Sequence, residues 1–360
     1  MQHTQKIKQI SIHSSASIID ALKQMDAIEK KLLLVVSDNQ FVSLLSIGDI
    51  QRAIIAGKEL TTAVSEILRK DILVANINQS KEEIHQLIQL HRMEFMPVLA
   101  SNNQIHEIIF WEDVFQEAPQ LEVQSDFTCP MVIMAGGQGS RLKPITNIIP
   151  KPLIPLGEKP IMEWIIESFH KLGSRKFFAS VNYKKEMIKQ YFDDLNYDVE
   201  YFVEEKPLGT AGSLHLLLGK LNETFFVSNC DILIKDDYQA MLDFHRQNKN
   251  DLTAVAVVKN YEIPYGTLET TTDGILTDMR EKPSFHFLVN AGMYILEPHV
   301  LNDIPKNEFF HITELMLKLK NENKRVGVYP VSEGSWFDIG EWDKYNDSMR
   351  RLGLSNMNVS

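Results

Sequence analysis

Apolar and polar positions in the first third of the chain fall into two similar rounds. "SIIDALKQMDA" spaces its apolar residues three and four apart, which predicts a helix, and "KLLLVVSD" is a β-branched apolar run that predicts a strand. "NQ" then marks a turn, and "FVSLLSIGDIQRAII" reads as strand, turn and helix. The second round repeats that order, with "KEEIHQLIQLHRM" as helix, "EFMPVLAS" as strand, "NNQ" as turn and "IHEIIFWEDVFQEA" as strand followed by helix. A unit of about 60 residues is too long for most solenoid repeats and too small to be comfortably stable alone. Two copies packed together are therefore expected.

From Met131 the pattern changes to strict alternation. The strands "MVIMA", "KFFASVN", "VEYFVEE" and "TFFVSNCD" are interleaved with the helical stretches "IMEWIIESFHKLG", "KKEMIKQYF" and "TAGSLHLLLGKL". Alternating strands and helices predict an α/β, Rossmann-like, mainly parallel sheet with helices on both faces, and ligands then sit beyond the carboxyl ends of its strands. After Asp231 the order loosens, with strands expected at "LTAVAVV", "GTLET" and "AGMYIL", which suggests an inserted or appended substrate-facing lobe. The polar, proline-bearing stretch "QEAPQLEVQSDFTCP" separates the two patterns. The expected organisation is a pair of α+β units over 1–62 and 63–118, a linker over 119–130 and an α/β domain over 131–360.

Composition narrows the classes. At 360 residues, 44% hydrophobic and 24% charged, the chain is an ordinary globular protein of more than one domain. No apolar run reaches the roughly 18 residues of a membrane span, and "MQHTQKIKQISIHSS" lacks the apolar core of a signal peptide, so a cytoplasmic protein without membrane contact is expected. Cys129 and Cys230 are too few for a disulfide framework and lack metal-ligand spacing. A net charge of −11 argues against a nucleic-acid partner. Yet between Gly136 and Pro160 four bases, Arg141, Lys143, Lys151 and Lys159, face one acid, Glu158. That local excess suits a compact polyanion such as a triphosphate.

The stretch "MAGGQGSRLKPITNIIPKPLIPLGEKP" follows the strand "MVIMA" directly. Gly136, Gly137 and Gly139 let the backbone approach a phosphate and turn its N–H groups inward. Neither a Walker A loop nor a dinucleotide fingerprint is present, because "PITNIIPKPLIP" cannot continue as a helix. Pro144, Pro150, Pro152 and Pro155 stiffen the loop around Lys151, which lowers the entropy lost on binding. Asp231 ends the apolar strand "TFFVSNCD", and Asp338 stands in the late run "WFDIG". His311, Trp336 and Trp342 read as packing residues.

The pattern GGxGSRLxPxTxxxPKPLxPxxxKP strongly resembles the signature of the sugar-phosphate nucleotidylyltransferases, and further matches cover most of residues 131–350. The resemblance implies transfer of a nucleotidyl group from an NTP to a sugar 1-phosphate with release of pyrophosphate. It implies nucleotide binding by Ala135, Gly136, Gly137, Gly139 and Ser140 and by Gly209, Thr210 and Gly212 of "PLGTAGSL". Arg141, Lys151, Asp231 and Asp338 become the catalytic set, with Mg²⁺ held by the two aspartates. "YGTLE", "REKP" and "VNAGMY" resemble the family's sugar-phosphate pocket, implying roles for Gly266, Glu281, Lys282 and Asn290.

The first 118 residues resemble a tandem pair of CBS (cystathionine β-synthase-type) modules, through the repeated order and the aspartates of "SIGD" and "FWED". "FWED" departs from the family in lacking a Ser or Thr three positions before its Asp. This resemblance implies an adenine nucleotide effector contacted by Asp49 and Asp113, or, read from the residues alone, two helix caps. Such pairs associate face to face, so a homo-oligomer is expected. The combination resembles the bacterial guanylyltransferases that activate glucosamine 1-phosphate for legionaminic acid, with GTP as donor. Mannose-1-phosphate guanylyltransferase is the alternative, and a nucleotide-sensing protein without activity is the alternative of another class.

Overall fold

In the computed structural model, which describes residues 2–38, 40–91, 93–100, 104–114, 127–195 and 197–354, the chain opens on a helix absent from the sequence reading, α1 (Gln2–Ile10). It runs into β1 (Ser11–His13), and α2 (Ile18–Ile28) follows. Ser17 and Asp20 close a reciprocal capping box that fixes where α2 begins, and Ile18, Ala21, Leu22 and Met25 form its buried face. The central β2 (Leu32–Ser37) pairs parallel with β1 and antiparallel with β3 (Gln40–Ser46), which leads into α3 (Ile47–Ile55). The second round follows as β4 (Ala75–Asn76), α4 (Lys81–His91), β5 (Phe95–Leu99), β6 (Ile105–Phe110) and α5 (Trp111–Val114). Its β5 likewise pairs parallel with β4 and antiparallel with β6, so both sheets share one topology. Residues 102 and 103 of the expected turn at 102–104, and linker residues 119–126, lie outside the described residues.

The α/β part starts with β7 (Met131–Ala135), whose five residues are all buried. A small ribbon, β8 (Pro155–Leu156) with β9 (Lys159–Pro160), precedes α6 (Ile161–Leu172), β10 (Phe177–Val181), α7 (Lys185–Asp193), β11 (Val199–Val203), β12 (Phe225–Asn229), β13 (Ile232–Ile234) and α8 (Tyr238–Gln247). Next come β14 (Leu252–Glu262), the hairpin β15 (Thr267–Thr270) and β16 (Leu276–Arg280), and β17 (Ser284–Leu296). The chain continues through α9 (Ile312–Asn321), β18 (Val326–Val331), β19 (Trp336–Asp338) and α10 (Trp342–Arg351).

Seven strands form the main sheet in the order β11-β10-β7-β12-β17-β14-β18. β11, β10, β7 and β12 run parallel, β17 pairs antiparallel with β12, and β14 pairs parallel with β18. Alternate residues of β7 serve opposite faces: Met131, Ile133 and Ala135 join the core with α6, α7 and α8, and Val132 and Met134 join that with α9. Phe169 of α6 sits among Phe226 and Tyr238, with ring centroids 5.0 and 4.5 Å away, so Phe169→Ala would cost about 3–5 kcal/mol.

The expected helix at "TAGSLHLLLGKL" is a short 3₁₀ segment over Gly212–Leu217. The N–H groups of Ala211 and Gly212 both bind the carbonyl of Phe310, at 3.0 and 3.1 Å, which takes the backbone out of α-helical register.

The chain divides into two compact units. One holds Met1–Glu122, Tyr261–His286 and Ser332–Gly334, and the other holds Val123–Asn260, Phe287–Val331 and Ser335–Ser360. The hairpin expected within 131–360 thus groups with the N-terminal unit. Within that unit α2 makes the contacts: Lys23 Nζ lies 2.6 Å from Glu262 Oε1, and Asp26 Oδ2 accepts from Gly334 N at 3.0 Å.

Candidate active site

The carboxyl ends of four parallel strands deliver Gly136 after β7, Asn182 after β10, Glu204 after β11 and Cys230–Asp231 after β12 to one edge of the sheet. A cavity of about 380 Å³ opens there, wholly within the second unit. Of the residues singled out in the sequence, Gly136, Gly137, Gly139, Ser140, Arg141, Lys151, Gly209, Thr210 and Asp231 line it. Ala135 is buried at the end of β7 behind the lining.

A two-stranded ribbon brings the two aspartates together. β13 pairs antiparallel with β19, setting Ile232 opposite Asp338, and Ile339 N donates to the Asp231 carbonyl at 3.0 Å. Lys151 Nζ binds Asp231 Oδ2, and both side chains are only 12% exposed. Burial works against the Lys151 charge, but the Asp231 carboxylate outweighs it and holds the lysine pKa above its ordinary value. Lys151 is therefore a charged ammonium at neutral pH. Asp338 accepts from Gly340 N at 2.7 Å and from Lys344 Nζ at 2.6 Å. A β-carbon on Gly340 would lie 2.9 Å from Asp231 Oδ2 and 2.9 Å from Asp338 Oδ1. The two carboxylates thus converge on the face of a glycine.

That convergence tests the expected cation. Among the described residues no cluster of three or more His, Cys, Asp and Glu forms a protein-only cage. Two carboxylates facing a gap kept open by Gly340 fit a hard cation that takes its other oxygens from water and phosphate. Arg141, by contrast, is 63% exposed and reaches Glu341 Oε1 at 2.6 Å. Trp342 Nε1 donates to the Lys143 carbonyl at 3.2 Å, so the start of α10 ties down the loop that carries Arg141.

Glu204 was not singled out in the sequence, where it lies in the expected strand "VEYFVEE". It is 5% exposed and lines the cavity. Ser180 Oγ donates to Glu204 Oε1 and Leu208 N to Oε2 at 3.2 Å. A β-carbon at Gly136 would come within 2.4 Å of Oε1, so this glycine makes room for a carboxylate of the protein itself. Gly209 and Gly212 have a similar explanation: their β-carbons would meet the carbonyls of Phe310 at 2.6 Å and Glu308 at 2.5 Å. His311 and Phe309, also missed as site residues, line the cavity beside them. Thr210 Oγ1 accepts from Ile312 N at 3.0 Å, linking the loop to the start of α9.

The remaining residues lie elsewhere. Gly266, Glu281 and Lys282 flank the hairpin of the first unit, where the face of Gly266 approaches Glu281 Oε2. Asn290, in β17, accepts from Gly292 N at 3.0 Å and Tyr294 Oη at 2.9 Å. Asp49 is the third residue of α3 and not its cap: Ser46 is the cap, the two close a capping box, and Arg69 Nε lies 2.8 Å from Asp49 Oδ1. Asp113 falls in α5, and its side chain lies outside the described residues. Trp336 Nε1 donates to the Ala291 carbonyl at 3.1 Å, a packing role.

A family model described as nucleotidyl transferase matches residues 131–353. A mannose-1-phosphate guanyltransferase of Debaryomyces hansenii is 33% identical over 222 residues, covering 58% of this chain and 60% of its own length. Its namesake in Saccharomyces cerevisiae is 32% identical over 222 residues, covering 58% and 61%. The chain therefore spans about three fifths of the length of these curated relatives. A solved Bacillus anthracis structure, described as a "Putative Glucose-1-Phosphate Thymidylyltransferase" in complex with a sucrose, aligns with a TM-score of 0.50 at 18% identity, covering 64% of this chain and 97% of that one. That is a likeness of fold.

Proposed function

The chain belongs to the nucleotidyl transferase family, and from that premise we propose that it joins a nucleoside triphosphate to a sugar 1-phosphate, giving a nucleotide-sugar and pyrophosphate. The observation that carries this reading is the convergence of Lys151, Asp231 and Asp338 on Gly340 at the mouth of a glycine-lined cavity.

The chemistry asks little covalent work of the protein. An oxygen of the sugar phosphate, ionised near pH 7, attacks the α-phosphorus in line; the P–O bond to the β-phosphate breaks, and pyrophosphate leaves with the electron pair. No general base is required, so rate comes from positioning and charge stabilisation. Lys151, held charged beside Asp231, places its ammonium against the reacting phosphates. Gly137, whose face meets nothing within 4 Å, leaves the backbone open to a phosphate. Arg141 exchanges Glu341 for the departing pyrophosphate. Mg²⁺ bound by Asp231 and Asp338 would supply further charge neutralisation at the phosphates when present.

The donor base is proposed to be guanine. Guanine offers two adjacent donors, N1–H and its exocyclic amine, and the buried Glu204 carboxylate keeps acceptor capacity beyond the bonds from Ser180 and Leu208. The relatives' names point to the same base. For the sugar they support mannose 1-phosphate, whereas the resemblance in the sequence supports glucosamine 1-phosphate on the route to legionaminic acid. Gly266, Glu281, Lys282 and Asn290 are the proposed sugar-phosphate contacts. The N-terminal unit is proposed as a regulatory CBS pair, supported by its two sheets of like topology. An adenine nucleotide reaching Asp49 there must displace Arg52 and Arg69.

A pyrophosphate-release grid of four NTPs against mannose, glucosamine and glucose 1-phosphates tests the reading, with AMP and ATP added as effectors and the oligomeric state measured by light scattering. Asp231→Asn and Lys151→Ala are each expected to lower turnover by at least about a hundredfold with an unchanged circular dichroism spectrum. Near-normal turnover in either variant sinks the assignment.

A further inference from the structure

Phe309 is 60% exposed although it stands on the wall of the cavity, and nothing in the proposed chemistry uses it. Its place is fixed from both sides. Phe310 N donates to the Leu208 carbonyl at 3.0 Å, and the Phe310 carbonyl takes both N–H groups of Ala211 and Gly212, so the backbone carrying Phe309 is laced to the loop beneath it. The His311 ring lies 4.8 Å from that of Phe309 at an interplanar angle of 83°, an edge-to-face contact that restricts rotation of the phenyl. The His311 backbone N–H donates to Glu314 Oε2 at 2.7 Å at the start of α9, and its ring nitrogen lies 3.4 Å from Thr210 Oγ1.

A solvent-exposed phenyl held rigid costs little further entropy when a flat ligand covers it, and every nucleobase presents such a face. Glu204 on the same cavity wall offers what the edge of a guanine needs. We infer that Phe309 is the platform on which the base of the nucleotide stacks, with Glu204 reading the base's edge. The inference rests on the nucleotidyl-transfer reading, and it adds to it a residue that sets affinity for the base separately from affinity for the phosphates.

Stacking contributes equally before and during the reaction, so its loss raises KM and leaves kcat in place. Phe309→Ala is expected to raise KM for GTP by roughly ten- to a hundredfold. Phe309→Trp keeps KM near or below the wild-type value. Inhibition by inorganic tripolyphosphate, which has the phosphates and no base, stays within twofold of wild type in both variants. A KM for GTP within twofold of wild type in Phe309→Ala overturns the platform, and so does a parallel weakening of tripolyphosphate inhibition, which marks a distorted loop. Calorimetric binding of GTP to the wild-type and Phe309→Ala proteins reads the platform without turnover. If the wild type releases no pyrophosphate from any substrate pair, the functional reading fails, and unequal GTP affinities in that calorimetry would still uphold the platform while equal ones would overturn it.

Discussion

Gly340 has no side chain because two carboxylates need the space: its missing β-carbon would stand 2.9 Å from an oxygen of each. Gly340→Ala is expected to spread Asp231 and Asp338 and to lower kcat/KM by at least about tenfold, since misplacement on this scale is costly to a positioning catalyst. Pyrophosphate release, read beside an unchanged melting temperature, checks it. A second group has its consequence in stability. Glu297 accepts from His245 at 3.1 Å and from Thr224 at 2.8 Å, and the His245 contact, against the opposing effect of burial, holds its carboxyl below the ordinary value. A carboxylate with a depressed folded pKa adds stability that is present above its unfolded value near 4.5 and is lost as pH falls through the folded one. The melting-temperature gap between wild type and Glu297→Gln should therefore be widest near neutral pH and shrink as pH falls below the unfolded value near 4.5. Lys151 and Asp231 were legible in the sequence because each sits in a distinctive local run. Glu204 was not, because its burial depends on Ser180 of the neighbouring strand, 24 positions earlier.

Among the elements, the ribbon of β13 and β19 does the most for the site. Its register pairs Ile232 with Asp338 and Leu233 with Phe337, and a slip of one residue would turn Asp338 to the opposite face. Nothing in "DILI" or "WFDIG" announces that pairing, since it joins segments about a hundred residues apart, although the motif resemblance linked the two aspartates. The loop before the 3₁₀ segment shows a converse case. The resemblance gives Gly209 and Gly212 to the nucleotide, and the structure adds a packing duty under the carbonyls of Phe310 and Glu308. Gly212→Val should accordingly act as overpacking, costing about 1–3 kcal/mol and lowering the melting temperature by roughly 2–10 °C. It should also raise KM for GTP, since Phe309 stands on the displaced backbone. A variant that melts like wild type would overturn that packing duty.

For the whole molecule, the alternation of strands and helices after Met131 was legible because β7 and β10 are buried on both faces and read as largely apolar runs. The allegiance of residues 261–286 to the N-terminal unit was not, because it is expressed in contacts such as Lys23 with Glu262, 239 positions apart. Charge followed the same rule. The loop around Lys151 carries an excess of bases in the sequence, yet in the fold Arg141 meets Glu341, Lys151 meets Asp231 and Lys159 meets Glu167 at 3.0 Å. Among the described residues only Lys143 of the four has no acidic partner. The cavity therefore projects little positive field, and the chain as a whole carries −11. Long-range attraction of a triphosphate, which would weaken steeply with salt, is not available to this protein; recognition has to come from contacts made inside the cavity. Raising the salt concentration from about 20 to about 200 mM should consequently change kcat/KM for GTP by less than about threefold. Steady-state rates across that range decide it, and a tenfold fall would mean that the bases of the loop act on the nucleotide before their partners release them.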